Sequence, residues 1–256
     1  MTAPYVLEAL DVSVRFGGVR ALTGVDLGVR AGEVCGVIGP NGAGKTTLFD
    51  VLSGIRRPDR GRLLLDGVDV TRRSPVWRAR HGVRRTFQRQ QLFGQLSVAD
   101  NVLVAQEWRG GGGGPVADLV AAPARRRRER ERRRRTARVL EGCGIEALGD
   151  TYAGALPVGR ARMVELARAV ADRPRVLLLD EPASGMSAPE RERLAAVVRR
   201  LAEEGCAVLL VEHNVAFVME LCARVVVLDL GTVLAQGTAA EVRADRRVRE
   251  AYLGAS

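Results

Sequence analysis

Nine residues constrain this chain more than any others. Gly39-Pro-Asn41-Gly42-Ala43-Gly44-Lys45-Thr46-Thr47 fits the phosphate-binding pattern GxxxxGK[ST] and lies between the apolar run EVCGVIG and the helix-periodic TTLFDVLSGI. A buried strand, a tight turn and a helix start in that order let glycine backbone curl so that successive N–H groups face one anion. The positive end of the following helix adds to the attraction. Lys45 is expected to reach the β- and γ-phosphates and the Thr46 hydroxyl to ligate Mg²⁺.

Lysine usage points to the same place. Lys45 is the single lysine, against 39 arginines. A bias that replaces lysine with arginine everywhere else stops where a compact ammonium on a thin stem does what a planar guanidinium cannot.

The flanks define the class. The first thirty residues alternate apolar and polar, as in VLEALDVSVRF and ALTGVDLGV, predicting antiparallel strands with one covered face. Runs at 176–180 (VLLLD), 207–211 (AVLLV) and 224–229 (RVVVLD) are buried-strand candidates separated by helical patterns at about 187–204 and 214–222. The expected architecture is an α/β P-loop core with a mixed, largely parallel sheet and an antiparallel β-rich N-terminal part. Between 89 and 172 strand signals vanish, predicting an inserted helical subdomain with a glycine loop at Arg109–Pro115. The expected organisation is therefore a single domain over 1–256, with 1–88 and 173–256 as the nucleotide-binding core.

Charge is concentrated rather than spread. The net charge is +10, and nine arginines crowd between Arg125 and Arg135 around Glu129 and Glu131. A solvated helix is expected there, with Glu129–Arg133 and Glu131–Arg135 one turn apart. No aromatics interleave, so nucleic acid is not an expected partner. Cys35, Cys143, Cys206 and Cys222 have no metal-ligand spacing and read as buried apolar residues. No apolar run spans a bilayer and no leader precedes the first strand, so a cytosolic chain is expected.

Two more constellations carry chemistry. Asp180-Glu181-Pro182 places paired carboxylates at the carboxyl end of a buried strand, where open α/β sheets bind ligands and where cations must meet them. Asp180 is read as a metal ligand and Glu181 as the general base that polarises water. His213 follows another buried strand and is read as a contact to the γ-phosphate and the attacking water. His81 has no such setting and is read as structural.

In this order the motifs resemble the ABC ATPase family over essentially the whole chain. The resemblance implies that Phe16 stacks on adenine, that Gln88 in RTFQ reaches Mg²⁺ and water, and that Leu156-Pro-Val-Gly159-Arg160 occupies the signature position. It also implies that Ser184-Gly-Met-Ser187 is the loop that meets an opposite subunit. In such dimers Gly159 of one subunit faces the γ-phosphate held by Lys45 of the other. Two residues depart from the pattern, with Pro157 where a serine is usual and Ser187 where an acidic residue is usual.

The words RTFQ, VELARAV (164–170), EHNVAFVM (212–219) and EAYLG (250–254) are similar to the branched-chain amino-acid uptake group, with importers of urea, short amides or other small amino-acid-like solutes as the competing groups. The resemblance implies ATP and Mg²⁺ as ligands, integral-membrane permeases and a second ATPase subunit, identical or different, as partners, an external solute-binding protein as an indirect one, and a place on the cytoplasmic face of the membrane. A soluble ABC-type ATPase of macromolecular assembly stays open as the alternative.

Overall fold

The computed structural model describes residues 4–88, 91–106 and 122–253, so the glycine run Arg109–Pro115 lies outside the described residues. The chain divides into two compact units, one comprising residues 1–88, 174–182 and 198–256, the other 89–173 and 183–197.

The first unit holds two sheets. Strands β1 (Tyr5–Phe16), β2 (Val19–Arg30), β4 (Arg60–Leu65) and β5 (Val68–Asp69) form an antiparallel sheet in the order β2-β1-β4-β5. The alternation in β1 and β2 produces it, since Leu7, Ala9, Val12 and Val14 are buried while the residues between them are half-buried or exposed. The second sheet has six strands in the order β10-β9-β3-β8-β7-β6, where β3 is Val34–Ile38, β6 Val83–Arg85, β7 Val176–Asp180, β8 Ala207–Val211, β9 Arg224–Asp229 and β10 Thr232–Gly237. All neighbours are parallel except β9 and β10. Every residue of β3, β7 and β8 is buried, which is why these strands read as unbroken apolar runs.

Register decides where chemistry can occur. Val211 pairs with Val37 on one side and with Asp180 on the other, so β3, β8 and β7 end level. Gly39, His213 and Glu181 therefore leave the sheet at its carboxyl edge, where parallel sheets expose ligand-binding backbone.

Backbone at the first of these exits is tightly specified. Gly39 has φ 154°, and a Cβ placed on it would lie 2.1 Å from the Leu228 carbonyl oxygen. Gly39→Ala is expected to lower stability by about 3 kcal/mol, because backbone rather than a flexible side chain must move. A urea midpoint within error of wild type would contradict this.

The second unit is helical, with Val98–Val104, Ala122–Gly142 and Val158–Val170, plus the first turns of Ala188–Glu203. Asn101, fully buried, accepts from Phe93 N at 2.9 Å and donates to the Phe93 and Ser97 carbonyls at 3.0 Å each. On the arginine helix Arg133 pairs with Glu129 at 2.9 Å as the spacing predicts. Glu131, however, pairs with Arg138 at 3.3 Å rather than with Arg135. Seven residues on is the same face two turns away, within reach of the long arginine arm, whereas Arg135 is half-buried. Among the described residues no helix is long and apolar enough to cross a membrane.

Candidate functional site

At the end of β3 the chain turns through Gly39 and Gly42, the latter with φ 81°, into Gly44, which caps the helix Lys45–Ser53 with φ 101° and ψ 3°. Positive φ is glycine territory, and at Gly44 a Cβ would also meet the Ala21 carbonyl oxygen at 2.5 Å. The turn is braced from outside: Gly231 N donates to Ala43 O at 3.1 Å and Thr23 N to Gly231 O at 2.8 Å. Asn41, Gly42 and Thr46 are exposed, Thr47 half-buried and Ala43 buried. A backbone nest of this kind at a helix N-terminus can receive an oxyanion.

Lys45 closes the nest. Its Nζ donates to the carbonyls of Gly39 at 2.7 Å and Pro40 at 2.8 Å. Burial pulls its ammonium below the usual lysine range, and the carboxylates of Glu181 and Asp180 oppose that shift.

The acidic pair lies at the end of β7. Asp180 Oδ2 accepts from Arg85 at 3.0 Å and its backbone N donates to Thr86 Oγ1 at 3.2 Å. Burial raises the Asp180 carboxyl above its ordinary value while the Arg85 guanidinium works against it. Glu181 takes a left-handed φ of 48° and its N donates to Val211 O at 2.9 Å, which turns its side chain out of the strand. Onto Glu181 converge Gln88, whose Nε2 is 3.4 Å from Oε2, and His213, whose Nε2 is 2.7 Å from Oε1. The structure thus seats His213 on the acidic pair's second carboxylate.

Two further side chains belong to this region and no local sequence signal marks either one. Arg85 ties Asp180 to Asp50 at 2.6 Å, and its position three residues before Gln88 is the only pointer to it. Arg78, only 1% exposed, donates to the carbonyls of Val51 at 2.7 Å and Leu52 at 2.8 Å, capping the last turn of the nest helix. That burial draws its guanidinium down to about 10. Phe16, at the hairpin end of β1, is 48% exposed with the Arg56 guanidinium 3.8 Å from its ring centre.

In the second unit, the helix Val158–Val170 starts at Pro157, which accepts from Ala161 N at 2.9 Å and offers no side-chain cap. Proline at this boundary costs the helix no hydrogen bond, since the amides that open the turn belong to the residues after it. A Cβ on Gly159 would lie 2.4 Å from the Glu190 carboxylate. That carboxylate accepts from Ser187 N and Oγ at 2.8 Å each, the glutamate half of a capping box. Ser187, in place of an acidic residue, therefore starts a helix.

His81 is structural as expected, its Nδ1 2.7 Å from Trp77 O and its ring stacked at 3.5 Å on Trp77. The four cysteines are buried and none is in a disulfide. Burial pushes the Cys35 and Cys206 thiols up to about 12, so neither is a thiolate at neutral pH.

The model of the ABC transporter family matches residues 22–184. High-affinity branched-chain amino acid transport ATP-binding protein BraF of Pseudomonas aeruginosa is 40% identical over 250 residues, which cover 97% of this chain and 98% of BraF. The chain belongs to the ABC transporter ATP-binding cassette family. The cassette is an ABC-type ATPase and a nucleotide-binding protein. It is also 36% identical over 250 residues to LivG of Escherichia coli, another high-affinity branched-chain amino acid transport ATP-binding protein, with 97% of this chain and 98% of LivG covered. A solved ADP conformation of MJ1267, an ATP-binding cassette of an ABC transporter, matches with a TM-score of 0.84 at 28% identity, covering 98% of this cassette and all of that chain. A second family model, described as branched-chain amino acid ATP-binding cassette transporter, matches residues 232–256 of the cassette.

Proposed function

We propose that the cassette hydrolyses MgATP at the carboxyl edge of its six-stranded sheet to drive import of branched-chain amino acids through separate membrane permeases. The observation that carries the chemical part is the convergence of Gln88 and His213 on Glu181, beside Asp180 and the Lys45-closed nest.

Each residue then has a role. The amides of Gly42–Thr47 and the Lys45 ammonium hold the β- and γ-phosphates. Thr46, Asp180 and Gln88 supply hydroxyl, carboxylate and amide oxygens, a hard donor set that fits Mg²⁺. Arg85 takes only Oδ2 of Asp180, which leaves Oδ1 for a cation. When bound, Mg²⁺ would neutralise charge on the phosphoryl oxygens. Glu181 accepts the proton of the attacking water. His213, with its proton on Nε2, donates to Glu181 and fixes its direction. Phe16 offers its open face to adenine. Gly159, at the start of its helix, faces the γ-phosphate held by a second cassette, identical or different.

The branched-chain specificity is supported by BraF and LivG and by the C-terminal family match. In this reading the cassette sits on the cytoplasmic face of the membrane under its permeases, and an external solute-binding protein delivers the solute. Deletion of its gene is expected to abolish high-affinity uptake of labelled leucine, restored by the wild-type gene. Unchanged leucine uptake with loss of another solute's uptake would contradict the assignment.

Pro157 supplies no hydroxyl to a γ-phosphate. Pro157→Ser is expected to raise ATPase of the assembled transporter about threefold, in the range of one neutral hydrogen bond. An unchanged rate would show that this proline limits nothing.

A further inference from the structure

Arg85 has no direct part in the chemistry above, yet both of its terminal nitrogens are engaged by buried or half-buried side chains. Its side chain is 6% exposed. One terminal nitrogen donates to Asp50 Oδ1 at 2.6 Å and Ser53 Oγ at 3.1 Å, the other to Asp180 Oδ2 at 3.0 Å. The guanidinium carbon lies 5.1 Å from the ring centre of Phe87 and 5.7 Å from that of Phe49. Such burial is costly for a cation unless rigid acceptors repay it, and here two carboxylates on different elements do so.

The placement of those carboxylates matters more than their number. Asp50 lies one helical turn after Thr46 on the helix Lys45–Ser53, so both project from one face. Asp180 ends β7. Thr86, next to Arg85, accepts from Asp180 N at 3.2 Å, and its own N donates to Leu178 O at 2.9 Å. Gln88 follows three residues on. All three residues assigned to the metal are thus attached to one guanidinium, Asp180 directly, Thr46 through the helix that Asp50 anchors, and Gln88 through the chain.

We infer that Arg85 is a positioning residue that fixes the spacing of Thr46 and Asp180, so that the Mg²⁺ ligands are assembled ahead of nucleotide arrival. The inference rests on the assignment of Mg²⁺ to Thr46, Asp180 and Gln88. A planar guanidinium points separate nitrogens at Asp50 and Asp180 in fixed directions, a geometry that the single compact ammonium of a lysine does not impose.

The test is calorimetric titration of the full chain with adenylyl imidodiphosphate, once in Mg²⁺ and once in EDTA. The quantity read is the ratio of the two affinities. Arg85→Met is expected to leave the EDTA affinity within about threefold of wild type and to cut the Mg²⁺ enhancement about tenfold or more, the usual cost of removing an outer-shell partner. Asp50→Asn, which keeps the Arg85–Asp180 pair and so spares the fold if Arg85→Met does not, is expected to reduce the same ratio by a smaller factor. The double variant is expected to lose no more than Arg85→Met alone. Equal losses in both buffers, or an enhancement untouched in both single variants, would overturn the role assigned to Arg85. Equal wild-type affinity in the two buffers would instead overturn the metal assignment and this inference with it.

Discussion

Glu181→Gln is expected to lower steady-state ATP hydrolysis by about 10³-fold while MgATP still binds, with the nucleotide-loaded dimer accumulating. Glutamine keeps the size of the side chain and an oxygen that can accept from His213 Nε2, now 2.7 Å from Oε1. Backbone is untouched, since the left-handed φ of 48° and the bond to Val211 O involve only the main chain. What disappears is the capacity to take a proton from water, and loss of a general base removes about two to four orders of magnitude. A phosphate-release assay beside size-exclusion chromatography in MgATP reads both halves. Turnover within threefold of wild type would remove Glu181 from the role of base.

The second large effect concerns Lys45. Both Lys45→Met and Lys45→Arg are expected to weaken ATP binding by about 100-fold, as when a buried charge-assisted contact is lost. The methionine variant keeps the apolar stem and loses the charge. The arginine variant keeps the charge and loses the fit, because a forked guanidinium cannot take the place of an ammonium held 2.7 and 2.8 Å from two adjacent loop carbonyls. The arginine result is the sharper one. In a chain with 39 arginines and one lysine, a Lys45→Arg variant that binds ATP normally would make the retention of lysine at this position unexplained.

Much of the fold can be read in the sequence where burial is complete. The runs at 176–180, 207–211 and 224–229 coincide with β7, β8 and β9, and the helices predicted at 187–204 and 214–222 run Ala188–Glu203 and Val215–Leu221. Strands whose identity depends on a distant partner are not legible. β6 is three residues, two of them arginine, and exists through its pairing with β7. β4 begins RGR and is recruited by β1. The candidate site divides in the same way. Its backbone nest, acidic pair and His213 follow strand ends that hydrophobicity reveals. The bridge from Asp50 through Arg85 to Asp180 joins residues 35 and 95 positions apart, and no periodicity carries such a contact. The arginine helix shows the limit of local rules from the other side. Glu129 finds its partner one turn on, while Glu131 finds Arg138 two turns on because Arg135 is half-buried.

Phosphates, more than base or sugar, are what the loop from Gly39 to Thr47 is expected to recognise. Calorimetry comparing ATP, ADP and AMP in Mg²⁺ buffer tests this most directly. ATP and ADP are expected to bind one per chain, with AMP at least about 100-fold weaker, since it lacks the phosphates that Lys45 and the nest amides contact. AMP binding as tightly as ATP, or no binding of ATP by well-folded protein, would contradict it.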